Sequence, residues 1–376
     1  MRETADVVVI GGGSTGSSVA WHLAQAGLAV RLLERNSIAS GSTGDTPGIV
    51  RQYYANPALA RLASRGLQAY RQWADLFDGD CGYRRTGFLT GVARADWDDT
   101  CRQVHQQKSD GIGVELYSPA QIQAWVPDFR FDGLAGAVYE QDAGYCNASA
   151  TARSFARGAQ RLGAVIDERR AAHRIHTKNG RVIGVETDRG RIDAPIVINA
   201  AGPWAAYLAA SCDANLPIFA SRQSVAICRL KSPIEDERLP GYSERGSGFY
   251  LRPDTPSVYM VGSLAPDDSE PIDPDASRPR MDGATSRRYC ERAAQRFRRL
   301  SDASPVGSRV SFFDDTPDGN PIVGVDPRVD GLIVAAGLSG HGFKFAPVFG
   351  QEIAAIIDAG RTDGDLDQFK VSRFLD

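Results

Sequence analysis

The residues Gly11-Gly12-Gly13-Ser14-Thr15-Gly16 directly follow the apolar run Val7-Val8-Val9-Ile10, and their spacing is that of a loop that holds a pyrophosphate. Gly11 permits the tight turn, Gly13 lets a phosphate approach the backbone, and Gly16 lets a helix pack closely on the strand. The free N–H groups at the start of that helix then face the negative charge. Glu34 closes the next apolar run, Ala29-Val30-Arg31-Leu32-Leu33, where a carboxylate accepts hydrogen bonds from a ribose diol. Glycine loop and acid together predict dinucleotide binding. A second glycine-rich stretch, Gly337-Leu338-Ser339-Gly340-His341-Gly342, precedes Phe343-Lys344-Phe345. A helix N-terminus there would stabilise negative charge on a ligand that it faces. Lys344 is one of five lysines in a chain whose other basic residues are arginine, and a cation between two phenylalanines needs an anionic partner.

These residues require particular elements to position them. Val7–Ile10 reads as a buried strand, Val19, Ala20, Leu23, Ala24 and Ala26 recur at helical spacing, and Gly27 is a helix stop before the next strand. This βαβ unit puts the glycine loop at the carboxyl end of the first strand. Between Ala164 and Gly202, Asn179-Gly180 predicts a hairpin in a meander. Ile196-Val197-Ile198 then runs into Asn199-Ala200-Ala201-Gly202-Pro203-Trp204, and Gly331–Ala336 into the second glycine stretch, with a helix expected from about Ala346 to Ala359. Thr86–Thr90, Phe249–Leu251 and Val258–Val261 read as antiparallel strands. The arginines between Arg278 and Arg299 read as the solvated face of a helix. A chain that leaves after one βαβ unit, returns as a meander and closes on a distant glycine loop favours FAD over NAD.

Composition narrows the function classes. With 42% hydrophobic and 24% charged residues over 376 positions, the chain has the material for a folded soluble protein of two domains. Lys+Arg at 43 against Asp+Glu at 46 provides no basic field for nucleic acid. Cys81, Cys101, Cys146, Cys212, Cys228 and Cys290 are scattered, so neither a disulfide framework nor a metal site is expected. No run is long and apolar enough for a membrane span, and no signal-peptide pattern precedes the first strand, which makes the cytoplasm the expected location.

The pair Glu34-Arg35, the loop Ala39-Ser40-Gly41-Ser42-Thr43-Gly44-Asp45-Thr46, Asn199–Trp204, and Thr316–Pro321 with Gly340–Lys344 resemble the FAD-dependent amine and amino-acid oxidoreductases of the D-amino acid oxidase superfamily. The likeness covers nearly the whole chain and is nearest to the sarcosine oxidase and glycine oxidase branch. It implies an α/β fold: a Rossmann-like FAD-binding domain of the glutathione-reductase type from residues 1–85, 145–205 and 310–376, and a substrate-binding α+β domain on an antiparallel sheet from 86–144 and 206–309. It implies cofactor contacts from Gly11 through Gly16, Glu34, Arg35, Ser42, Thr43, Gly44, Thr46, Gly48, Ile49, Ala172, Ala200, Ala201, Gly202, Trp204, Gly337, Leu338, Gly340, His341, Gly342, Phe343 and Lys344. Arg51 and Lys344 match a pair that holds the substrate carboxylate. Tyr250 matches an active-site tyrosine, and His341 sits in the flavin loop.

Three departures from the family pattern shape the expectation. The carboxylate-anchoring arginine of D-amino acid oxidase and glycine oxidase is replaced by Phe313, which favours the sarcosine-oxidase-like branch. The cysteine that tethers the flavin in monomeric sarcosine oxidase matches Ser311, so FAD should be non-covalent. The oxygen-activating lysine matches Met260, which puts fast oxidase activity in doubt. The expected reaction is oxidation of the C–N bond of a small, N-alkyl amino acid by hydride transfer to the flavin, with oxygen or another acceptor taking the electrons. A D-amino acid or cyclic imino acid dehydrogenase, or a flavoprotein subunit with a partner, are the alternatives.

Overall fold

The structure is a computed structural model that describes residues 3–77, 79–233, 239–265, 270–276, 280–360 and 364–375. Its first sheet has six strands in the order Val165–Glu168, Val30–Glu34, Val7–Ile10, Ile196–Asn199, Leu332–Ala336 and Ile322–Val325. All neighbours are parallel except the last pair. Near-continuous apolar runs suit such strands, because both faces are covered. Val7 and Val9 pack with the helices Ser14–Gln25 and Gly342–Ala359, whereas Val8 and Ile10 pack with the meander Ala172–Lys178, Arg181–Thr187 and Gly190–Asp193. The alternation is the period-2 direction of side chains along a strand. Asn179 and Gly180 both take positive φ, 54° and 73°, as the predicted hairpin turn requires.

A second sheet of nine strands joins sequence-distant segments. Its order runs Glu270–Pro271, Phe219–Arg229, Val258–Ser263, Phe249–Thr255, Gly241–Glu244, Phe88–Ala93, Leu134–Glu140 and Glu115–Tyr117, with Ser304–Asp315 also paired to Phe219–Arg229. The pairs are antiparallel except Gly241–Glu244 with Phe88–Ala93. Phe249 and Leu251 point to a core shared with Tyr289 and Ala293 of the helix Gly283–Arg296. Tyr250 and Arg252, with Gly262 and Met260 opposite them, share the other face.

The structure corrects three expectations. The terminal helix begins at Gly342 instead of near Ala346 and runs to Ala359 with Pro347 inside it. Proline has no N–H for the carbonyl four residues back, and the Tyr70 hydroxyl donates to that carbonyl, Phe343 O, at 2.6 Å. Cys228 and Cys290 form a disulfide between the strand Phe219–Arg229 and the helix Gly283–Arg296. Their separation of 62 residues leaves no spacing signal in the sequence. Arg287, Arg288 and Arg298 are exposed as expected, but Arg296 is buried and makes a two-pronged pair with Glu244 at 2.6 and 2.7 Å. Arg278 lies outside the described residues. Among the described residues no helix is long and apolar enough to cross a membrane.

Candidate active site

The glycine loop is built by what its residues lack. A Cβ on Gly11, whose φ is +110°, would stand 2.3 Å from Ala200 O, and one on Gly16 2.0 Å from Gly11 O. The strand Ile196–Asn199 therefore approaches the loop backbone to backbone, with Ala200 N donating to Ile10 O at 3.0 Å. Gly13 is the N-cap of Ser14–Gln25 and has no side chain with which to cap it, leaving the first-turn N–H groups beyond Ser14 for an anion. Thr43 Oγ1 accepts from Ser14 N at 3.0 Å, which fastens the short helix Ser42–Asp45 over the loop. Thr15 Oγ1 and Ser42 Oγ are buried without a hydrogen-bond partner. Gly44 and Gly48 permit close approach to Ala39 O and Cys146 O, and Thr46 Oγ1 accepts from Gly48 N at 3.3 Å.

Glu34 ends its strand beside this loop, where one carboxylate oxygen accepts from Gly12 N and the other from Asn36 N, both at 2.8 Å. The neighbouring backbone, Arg169 and Arg170, hydrogen-bonds to Asn36 O and Glu34 O and leads into the strand that Ala172 opens. Arg35 stacks 3.9 Å over the Trp204 ring, and both donate to Asp275 at 2.8 Å. Ala201 and Gly202 form the turn after Asn199, whose side chain pins it by donating to Ala205 O at 2.8 Å.

The terminal loop meets the second sheet. A Cβ on Gly340 would stand 2.3 Å from the Phe313 ring, one on Gly337 2.6 Å from Thr316 and one on Gly342 2.3 Å from Leu338. His341 is the N-cap of Gly342–Ala359, and its side chain does not cap the helix. Lys344 is buried and donates to His341 O at 3.2 Å, and Phe343 packs with Tyr70.

Around Lys344 the fold gathers side chains from four segments. Ile49–Val50 pairs with Gly144–Tyr145 and delivers Arg51, whose guanidinium donates to Tyr53 O and lies 4.7 Å from the Tyr54 ring centre and 5.8 Å from that of Phe88. The Tyr54 hydroxyl and His341 Nδ1 are 3.0 Å apart, and Lys344 Nζ lies 5.8 Å from the Tyr54 ring centre. Glu140 stands cross-strand from Phe88 and is wholly buried; one carboxylate oxygen accepts from the backbone N–H of Gln52 and of Tyr53, the latter at 2.9 Å.

Charge and burial set the protonation tendencies here. Burial, and then the Arg51 guanidinium, push Lys344 well below the ordinary lysine value, with Glu140 acting in the opposite sense. Burial also lowers His341 well below its usual value, helped by Lys344, Arg51 and Arg245, so the ring is neutral at pH 7. The Tyr54 hydroxyl is pushed up to about 12 by burial and stays a neutral donor. Burial raises Glu140 above the usual carboxylate value, opposed by Arg51, by the two backbone N–H groups and by Lys344.

Of the expected catalytic residues, Arg51, Lys344 and His341 thus converge. Tyr250 and Met260 lie on the sheet face that Arg252 shares, and Arg252 donates to Pro47 O in the segment before Arg51 at 2.6 Å. Sequence reading missed Glu140 and Tyr54. For Glu140 a signal existed: Leu134, Gly136, Val138 and Glu140 alternate along one strand and all are buried, so the acid falls on the apolar parity. For Tyr54 there was none.

The family model described as FAD dependent oxidoreductase matches residues 6–356. The chain is 28% identical over 98% of its length to 4-methylaminobutanoate oxidase (formaldehyde-forming) of Paenarthrobacter nicotinovorans, and 27% identical over 100% of its length to mitochondrial sarcosine dehydrogenase of Homo sapiens. It spans 45% and 42% of these two relatives. Among solved structures, L-proline dehydrogenase from P. horikoshii superposes with a TM-score of 0.90 at 24% identity, covering 100% of this chain and 98% of that one. The described residues fit the cofactor of this family: two helix N-termini that their N-cap residues do not cap, a loop that side chains would fill, and buried, unpartnered Thr15 and Ser42 hydroxyls.

Proposed function

The chain belongs to the family of FAD-dependent oxidoreductases, and from that premise we propose that it oxidises the C–N bond of a small amino acid bearing an N-alkyl group. The observation that carries this reading is the convergence of Arg51 and Lys344, with Lys344 buried, beside the uncapped N-terminus of Gly342–Ala359. Two cations in a site of low dielectric hold a carboxylate, and their field lowers the pKa of a bound ammonium, so the amine is presented neutral. Neutral His341 and the Tyr54 hydroxyl form one hydrogen-bonded wall and bring no competing negative charge. Bound FAD supplies the hydride acceptor. The resulting imine hydrolyses after release. The N-methyl chemistry named in both curated relatives supports the N-alkyl choice.

Ser311 at the position of a tethering cysteine supports a non-covalent cofactor. The acceptor follows from Met260. Arg252 stands opposite Met260 across the strand pair, but its guanidinium is engaged by Pro47 O, Pro253 O and Asp254. With that cation committed elsewhere, the reading favours slow reoxidation by oxygen and a different electron acceptor. Anaerobic mixing of holoprotein with N-methyl, cyclic and D-amino acids, read as bleaching of the flavin band, tests the proposal. Bleaching by N-methyl amino acids followed by slow recovery in air is the expected result; no bleaching by any of the panel overturns it.

A further inference from the structure

We propose that Glu140 is the positioning residue of the Arg51–Lys344 pair: from the second sheet it fastens the backbone that carries Arg51 and Tyr54, and it supplies the buried negative charge that faces both cations. The proposal rests on the carboxylate-anchor reading of that pair. Glu140 ends the strand Leu134–Glu140, and the chain then turns into Gly144–Tyr145, the strand that pairs with Ile49–Val50. The acid therefore reaches back to the segment its own chain has just fixed. One of its oxygens accepts from two consecutive N–H groups, Gln52 and Tyr53, which sets the direction in which Arg51 and Tyr54 leave the backbone. The other oxygen is buried with no hydrogen-bond partner. A wholly buried carboxylate with an unused oxygen is costly unless opposite charge compensates it, and the charges that face it are Arg51 and Lys344.

The consequence is electrostatic and directional. Facing Lys344 are Arg51 and Glu140, with His341 and Tyr54 in contact with the same site and Arg245 near His341. Of these only Glu140 favours the ammonium. Removing its charge while keeping its shape leaves Lys344 beside Arg51 alone, so the ammonium form is lost at lower pH and binding of an anion weakens from the alkaline side.

The test measures the Kd of acetate for the holoprotein, through perturbation of the flavin visible spectrum, from pH 6 to pH 10. In Glu140→Gln the amide oxygen still accepts from the two backbone N–H groups, so the segment stays in place. The expected result is an alkaline limb of acetate binding displaced downward by about one pH unit, which is a Kd about fivefold weaker at the wild-type midpoint and about tenfold weaker well above it. Glu140→Asp keeps the charge with a shorter reach and should keep the wild-type limb while binding acetate a few-fold more weakly. An E140Q limb that coincides with wild type overturns the inference, as does an E140D limb displaced as far as the expected E140Q one. Should E140Q not accumulate as folded holoprotein, E140D decides. Acetate that leaves the wild-type flavin spectrum unchanged at every pH overturns the anchor reading itself, so the two failures are distinguishable.

Discussion

The nucleotide cradle and the cationic cluster are built on opposite principles. The cradle is backbone: Gly11, Gly13, Gly16, Gly44 and Gly48 work by having no Cβ, and two helix N-termini are not capped by their N-cap residues. The cluster is side chains: Arg51 and Tyr54, Glu140, and His341 and Lys344 come from three separate segments and are held by one another. A backbone site tolerates almost no added atom but needs no charge balance. A side-chain site tolerates a change of shape better than a change of charge, because its cations are taken out of water.

Each half of that contrast can be broken separately. The largest effect is expected from Gly11→Ala, which places a Cβ 2.3 Å from Ala200 O at a φ of +110°. The purified protein should carry no flavin, read as the ratio of visible to ultraviolet absorbance; full flavin content in this variant would refute the backbone account of the cradle.

Next in size is a charge pair that serves the fold alone. Arg296→Met leaves Glu244 buried with its carboxylate uncompensated, at a cost of about 3–5 kcal/mol in stability, measured by denaturant unfolding. Burial pushes the Glu244 carboxyl up, but hydrogen bonds from Arg296, Tyr242 and Ser247 outweigh it and hold it below the usual carboxylate range. Its contribution is therefore fully present above the unfolded value of about 4.3 and is lost as the pH falls through the lower folded value. In Arg296→Met the carboxyl is raised instead, so the gap between wild type and variant should narrow on acidification. A gap that widens would reverse the sign of the argument.

A smaller but more local effect sharpens the comparison. Arg51→Ala and Lys344→Met should each raise KM for a carboxylate-bearing substrate by about 30- to 1000-fold, corresponding to about 2–4 kcal/mol. Flavin content should stay near wild type, since neither side chain builds the cradle, whereas thermal stability should fall in both, because each loss leaves the buried Glu140 carboxylate with one compensating cation fewer. Steady-state kinetics beside the absorbance ratio separates the two outcomes, and unchanged KM in both variants would remove the anchor.

What the sequence determined by itself was local. Val7–Ile10, the glycine loop, the helix after it and Glu34 lie within one short stretch, and the Asn179-Gly180 turn carries its conformation in two residues. Adjacent residues can specify a strand, a turn or a helix start because those depend on φ, ψ and nearby hydrogen bonds. The convergence of Arg51 with Lys344 was legible only through likeness to a family, for nothing in their spacing brings them together. Tertiary structure alone decided the rest. The terminal helix runs through Pro347, and the Tyr70 hydroxyl from the helix Pro57–Arg71 occupies the carbonyl that Pro347 cannot serve. The Cys228–Cys290 pair and the Arg296–Glu244 pair likewise join segments that only sheet formation brings side by side. Glu140 becomes a counter-charge for the same reason: its strand is placed by Phe88–Ala93, and the backbone it holds belongs to the segment that follows Ile49–Val50. Charge compensation in a buried site depends on distances across the fold, and a one-dimensional pattern does not contain them.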